Sequence, residues 1–284
     1  MNSISLTTLL AILSIVKLNF LDYTESDWPD ICKTGTRQSP INFPKRANYT
    51  DGSNYIKLLD RDYAPYTGAL SLRNVKSYGL NMTNQGTLWV YKNEIKYKYN
   101  LIDIHIHVRS EHRLDGKQTD MEMHLVHQKD TDWVNSLKKI DAADTENTLL
   151  VIGVMFNANS TDDHPTIAKM DFKNLGPITN LNLNDFVDLN SGFYHYLGSL
   201  TTPGCNESVN WVVLQNVLKI TKSQLEDMVK WIEEEYKNGN ARDAKPLNNR
   251  VIYVSKNKFE TFDFLSGKWH GYSFIIAVLS LFLL

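Results

Sequence analysis

Apolar residues gather in short strand-like runs through the middle of the chain. Thr87–Tyr91, Ile95–Tyr99, Leu101–Val108, Met121–His127, Leu149–Phe156 and Val209–Leu214 are short runs, most of them rich in β-branched or aromatic residues, and each reads as a strand. One segment carries the period of a helix instead. From about Ser223 to Lys237, Leu225, Met228, Val229 and Ile232 fall on one face. Thr221 and Ser223 are candidate caps at its start, and Gly239 ends it. No internal repeat or low-complexity linker interrupts this region, which reads as one mainly-β domain with peripheral helices.

The two ends break the pattern. An uncharged apolar run, Leu9–Val16, is too short to span a bilayer and suits a signal peptide over residues 1–20; the plainer reading is a buried core helix. A second uncharged run, Tyr272–Leu284, closes the chain behind the small residues Ser266 and Gly267. That arrangement predicts a GPI-attachment signal over 263–284, with Ser255–Asn257 as a second candidate attachment region. The plainer alternative there is a short membrane-spanning or buried tail. The expected organisation is therefore a leader (1–20), one domain (21–262) and a cleaved tail (263–284), on a secreted chain held at the cell surface.

Composition narrows the classes. The 284 residues are 42% hydrophobic and 22% charged, as in ordinary globular proteins, and the net charge of −2 lacks the basic excess of a nucleic-acid binder. Two cysteines, Cys32 and Cys205, suggest one disulfide in an exported chain. Closing so long a loop stabilises by roughly 4–5 kcal/mol in the chain-entropy model. Four N-x-[ST] sequons, at Asn48, Asn81, Asn159 and Asn206, agree with export.

The chemical signal lies in Ile104-His105-Ile106-His107-Val108. In a strand, His105 and His107 point to one face while the branched apolar residues pack on the other. On the run Met121–His127, His124 shares a face with Glu122 and Val126, and His127 faces the opposite way. Three neutral imidazoles around zinc leave one tetrahedral position for water, whose pKa the metal lowers to about 7. Glu122 is placed to orient a ligand imidazole. A pair of structural or surface histidines explains H-x-H alone equally well. His124, on a neighbouring strand with an acid beside it, shifts the balance toward a metal.

Five stretches together resemble the alpha-class carbonic anhydrases: Gln38-Ser39-Pro40-Ile41-Asn42, His105-Ile106-His107 with Ser110-Glu111-His112, Glu122–His127, Gly198–Pro203 and Pro246–Arg250. They run in family order from about Trp28 to Val254. The resemblance implies a large twisted, mainly antiparallel sheet with zinc at the bottom of a conical cleft. It implies reversible hydration of carbon dioxide to bicarbonate and a proton through zinc-bound hydroxide. His105, His107 and His124 would hold Zn2+. Thr201 would accept a hydrogen bond from the hydroxide and donate its own to Glu111, and Thr202 would help to seat bicarbonate. Val126, Val151, Leu200, Val209 and Trp211 would form the apolar wall for carbon dioxide. Cys32 and Cys205 match the disulfide of exported members.

Two departures from the family stand out. Many fast members carry a proton-ferrying histidine where this chain reads Lys76–Met82; the apolar alternation places Tyr78 there, and aligning the glycine places Leu80. Asp103 stands where a glutamine commonly supports the first ligand histidine. The competing readings are a carbonic-anhydrase-like surface binding module without catalysis and, as a side activity of the same site, hydrolysis of activated esters. The expected partners are the small-molecule substrate and the membrane through the anchor, with no nucleic acid.

Overall fold

The computed structural model describes residues 25–52, 55–72, 78–82, 85–92, 95–136, 147–233, 239–255, 260–263 and 268–271. The leader over 1–20, the apolar run from Tyr272 and the pair Ser266 and Gly267 lie outside the described residues. Two short strands, Glu260–Asp263 and Lys268–Gly271, pair on either side of that serine and glycine. Among the described residues, no helix is long and apolar enough to cross a membrane.

Among the described residues a twelve-stranded, mainly antiparallel sheet dominates the fold. We number the strands that build it as β1 (Ile56–Tyr63), β2 (Tyr78–Asn81), β3 (Gly86–Lys92), β4 (Ile95–Val108), β5 (Met121–Lys129), β6 (Leu149–Asn157), β7 (Phe193–Gly198), β8 (Val209–Leu214) and β9 (Tyr253–Ser255). Across the sheet the order is β9-β7-β8-β6-β5-β4-β2, with β3 on the first half of β4 and β1 on β3. All these pairs are antiparallel except β6 with β8. One mainly apolar helix face packs on the sheet: α1 (Lys222–Glu233) buries Met228 and Ile232, with Leu225 and Val229 at the edge of the same core. Of the two candidate caps, Thr221 acts: its Oγ1 accepts the Gln224 amide at 3.2 Å, and Gln224 Oε1 accepts the Thr221 amide at 3.2 Å. The expected end of the helix near Lys237 lies outside the described residues.

The runs Ile95–Tyr99 and Leu101–Val108, expected as two strands, form one 14-residue strand. Up to Leu101 its odd-numbered residues, Tyr97, Tyr99 and Leu101, lie in the main core; beyond it the even-numbered residues Ile104, Ile106 and Val108 do. The phase changes because β4 carries one extra residue. Val126 of β5 pairs with Asp103 and His127 with Leu101, so Ile102 has no place in that register. This bulge turns the odd positions 103, 105 and 107 away from the main core. On that face lies a second apolar cluster, which includes Ile41, Phe43, Val126, Val151, Tyr196, Val209 and Trp211. The disulfide Cys32–Cys205 joins the helical turn Ile31–Thr34 to the loop after β7.

Candidate metal centre

Register alone brings the three histidines together. His124 of β5 lies opposite His105 of β4, and Glu122 lies opposite His107. The imidazole centroids are 5.2 Å apart for His105 and His107, 5.0 Å for His105 and His124, and 4.7 Å for His107 and His124. One ring nitrogen from each falls within 4.8 Å of those of the other two.

The outward nitrogens decide what the inward ones are. His107 Nδ1 faces the Asn240 carbonyl at 2.9 Å, which can only accept, so that nitrogen carries the proton and Nε2 carries a lone pair. His107 Nε2 is buried and has no hydrogen-bond partner. His105 Nδ1 donates to Asp103 Oδ2 at 2.6 Å, and His124 Nε2 donates to Glu122 Oε1 at 3.0 Å. The inward His105 Nε2 and His124 Nδ1 are then both lone pairs, 3.2 Å apart. Three lone pairs converging in a dry pocket repel one another unless a cation lies between them. The donor set, three imidazoles each held by an acceptor behind it, suits Zn2+. A second cluster, His112, Glu122 and His124, is compact as well. It is a support rather than a metal site: His112 uses Nδ1 on Glu122 Oε1 and Nε2 on the Tyr196 hydroxyl, both at 2.7 Å.

The electrostatics favour uncharged ligands. Burial, together with the neighbouring His124 and His105, holds His107 well below the usual imidazole range. Burial lowers His124 to about 4, against the opposing pull of Glu122. Burial alone would raise Glu122, but the charge and hydrogen bonds of His112 and His124 outweigh it and keep the carboxyl well below its usual range. Glu122 also accepts the His112 amide at 2.8 Å. Its space depends on Gly153, opposite His124, where a Cβ would stand 2.8 Å from Glu122 Oε1.

A family model for eukaryotic-type carbonic anhydrases matches residues 23–256. The chain belongs to the carbonic anhydrase family. It is 32% identical to alpha carbonic anhydrase 3 of Arabidopsis thaliana over 251 residues, covering 82% of this chain and 78% of that one. Among solved structures it resembles carbonic anhydrase Cah3 of Chlamydomonas reinhardtii in complex with acetazolamide, with a TM-score of 0.59, 25% identity and coverage of 80% and 94%. It resembles dioscorin complexed with ascorbate at a TM-score of 0.62 and 24% identity, covering 80% of this chain and 89% of that one, a likeness of fold. Carbonic anhydrases of the alpha class are in general zinc enzymes that hydrate carbon dioxide.

In this carbonic anhydrase, the threonine loop 198–203 is pinned from several sides. Ser39 and Ser199 exchange hydrogen bonds, amide to hydroxyl, at 2.9 and 3.0 Å. Gln38 Nε2 donates to the Cys205 carbonyl at 3.1 Å, and Trp211 Nε1 to the Ser199 carbonyl at 3.0 Å. Thr201 is buried beside Glu111 and lowers its carboxyl, while Glu111 Oε2 is buried with no hydrogen-bond partner among the described residues. Glu111 Oε1 accepts the Arg242 amide at 2.9 Å. Burial raises the Glu111 carboxyl well above its usual range, while Thr201 and the Arg242 amide draw it down. Thr202 is half-buried beside this pair.

Val126, Val151 and Trp211 form one row across β5, β6 and β8, on the face of His124. Val209 belongs to the same cluster, and Leu200 packs against it. Leu80 is elsewhere: it is fully buried in the main core, opposite Ile104. Tyr78 opens β2, and its side chain lies outside the described residues. Sequence reasoning missed Asn240, Arg242, His112 as a brace, and Gly153. Only the last two had a local signal, a histidine next to an acid and a glycine inside a strand.

His127, on the core side of β5, faces the Tyr63 hydroxyl at 2.8 Å, and burial lowers it to about 4 as well. Histidines with depressed folded pKa values take up protons more readily when unfolded, so stability is fully present above about pH 6.5 and falls as pH drops toward 4. In metal-free protein each should cost about 1.4 kcal/mol per pH unit within that window. Urea unfolding at pH 7 and pH 5 checks the sign, and His127→Gln should flatten the dependence by one histidine's share. A stability that is level or rises on acidification would refute this assignment.

Proposed function

We propose that this chain is a working zinc carbonic anhydrase that converts carbon dioxide and water to bicarbonate and a proton. The observation that carries the reading is the convergence of three imidazole lone pairs next to the Thr201–Glu111 pair. His105 Nε2, His107 Nε2 and His124 Nδ1 would hold the metal. Zinc bound there supplies the Lewis acidity that makes hydroxide available from water near neutral pH.

The remaining work falls to the chain. Thr201 would donate a hydrogen bond from its hydroxyl to the Glu111 carboxylate, whose buried Oε2 is otherwise without a partner among the described residues, so that toward the site its oxygen would offer lone pairs alone. A nucleophile next to Thr201 must point its proton there and aim its own lone pair elsewhere, an orientation effect. The direction left open is the row of Val126, Val151 and Trp211. That wall has no group to bind water strongly and suits a small uncharged substrate. Asp103 and Glu122 keep His105 and His124 in the tautomers that face inward. Thr202, half-buried next to Thr201, would help to seat the bicarbonate product.

Stopped-flow carbon dioxide hydration tests the reading. Activity should vanish with a zinc chelator and return with zinc, and Thr201→Ala should lower kcat/KM by about 100-fold with zinc content unchanged. A folded, zinc-loaded protein without activity would instead make this a binding module. Acetazolamide, found in the complex with the Chlamydomonas relative, should inhibit it.

A tyrosine side chain ordinarily titrates near 10, poorly matched to proton transfer near neutral pH, and this chain carries Tyr78 where many relatives have a histidine. Maximal turnover should therefore rise with added imidazole buffer, and turnover indifferent to imidazole at a level typical of histidine-bearing relatives would overturn the assignment. We also propose export and a GPI anchor, supported by the two apolar ends. Treating expressing cells with a GPI-specific phospholipase should release the protein, and protein that stays cell-bound excludes that anchor.

A further inference from the structure

The four sequon asparagines are all exposed, but they are not equivalent. Asn48, Asn159 and Asn206 stand on loops, whereas Asn81 ends β2. In the register of β2 with β4, Gly79 lies opposite His105, Leu80 opposite Ile104 and Asn81 opposite Asp103. Opposed residues in a sheet face the same way. Leu80 goes with Ile104 into the core, so Gly79 and Asn81 lie on the side of the metal-site histidines.

That side is also where the site opens. The side chains of His107 and His124 are 2% and 1% exposed, but those of His105 and Asp103 reach 15% and 17%. Solvent therefore meets the histidine cluster past Asp103, and Asn81 is its neighbour across the strand pair. Cβ atoms of such a pair are about 4.5–5.5 Å apart, and those of a diagonal pair such as Asn81 and His105 about 7–8 Å or somewhat less.

We propose that Asn81 carries an N-linked glycan on the wall of the entry to the metal site, and that this glycan screens the entry by size. Carbon dioxide and bicarbonate pass a hydrated oligosaccharide freely, and bulky ligands do not. Attachment joins the anomeric carbon of the oligosaccharide to Asn81 Nδ2. The sugar–phosphate bond of a lipid-pyrophosphate donor breaks, the pyrophosphate leaves with the bonding electrons, and the amide nitrogen loses a proton. The proposal rests on the export reading, because that donor is met only in the secretory route.

The test begins with full-length protein expressed in secreting eukaryotic cells and mass spectrometry of its glycopeptides. A glycan on Asn81 is expected. Asn81 bare while Asn48 or Asn159 is occupied overturns the inference and leaves export standing; all four bare overturns both. This readout needs no activity, so it stands apart from the catalytic reading. The screening is measured with free acetazolamide and with acetazolamide coupled to dextran, on wild type, Asn81→Gln and Thr83→Ala. The last variant ends the sequon but keeps the asparagine. In both variants the coupled inhibitor should bind about tenfold more tightly than to wild type, with free acetazolamide and kcat/KM within about twofold. No gain for the coupled inhibitor in either variant, or a gain in Asn81→Gln alone, overturns the screening role.

Discussion

The site depends first on one extra residue in a strand. Without the bulge at Ile102, the odd-numbered positions that bury Tyr97, Tyr99 and Leu101 would go on to bury residues 103, 105 and 107 among the same apolar side chains. With it, the second half of β4 presents Ile104, Ile106 and Val108 to the main core and turns His105 and His107 to the other face. The partner strand needs no such shift. Along β5, Met121, Met123, Leu125 and His127 stay on the core side throughout, and Glu122, His124 and Val126 stay on the other. A two-for-one count on a single strand thus sets where the metal ligands point. It also lets one long strand serve two sheet neighbours, β3 before the bulge and β2 after it.

Aiming the rings is half of the problem; fixing their tautomers is the other half. Each of the three imidazoles donates through its outward nitrogen to a group from a different place in the chain. Asp103 lies two residues before His105 on β4, Glu122 two residues before His124 on β5, and the Asn240 carbonyl is more than a hundred residues from His107 in sequence. Asn240 is itself locked, because its side chain bonds the Val108 amide at 2.9 Å and the Ile106 carbonyl at 3.0 Å. Two residues on, Arg242 reaches Glu111 through its amide. Its buried guanidinium meets Glu25, Gln38 and the Ser39 and Cys32 carbonyls. The chain between 240 and 242 therefore couples the ligand set, the Thr201–Glu111 pair and the disulfide-bearing N-terminal segment.

Much of this was legible in the sequence, and the gaps have physical reasons. Short runs rich in β-branched or aromatic residues marked the central strands, and the H-x-H spacing placed two imidazoles on one face. The polar Asn100 between Tyr99 and Leu101 read as a break, because a bulge is defined against a partner strand and leaves no trace in a single run. Thr221 and Ser223 were both plausible caps, since either hydroxyl fits the composition of a helix start. Gln224, three residues after Thr221, decides between them by closing the reciprocal pair. The roles of Asn240 and Arg242 were invisible because they act through backbone groups, an amide and a carbonyl that every residue carries. The five stretches that resemble the family pointed to the right neighbourhood; Gln38-Ser39 and Arg250 turn out to brace β7 and the loop that follows it.

The charge balance of the site ties the fold to the metal. Glu111 and Glu122 are fully buried, and Asp103 is half-buried at the solvent-facing side, around imidazoles of which burial keeps His107 and His124 neutral. Arg242 presents its amide to Glu111 and pairs its guanidinium with Glu25, while its charge also draws Glu111 down. Buried carboxylates are costly unless a cation or several donors offset them. Here His112, Thr201 and the Arg242 amide supply donors, and the converging lone pairs mark where the compensating positive charge belongs. A divalent ion at that point would draw Glu111 back toward the ionised form that Thr201 needs as its acceptor. The ion would then act twice, at the reacting atoms and in setting the state of the pair that orients them, so metal binding, folding stability and the direction of the Thr201 hydroxyl are linked through one electrostatic balance.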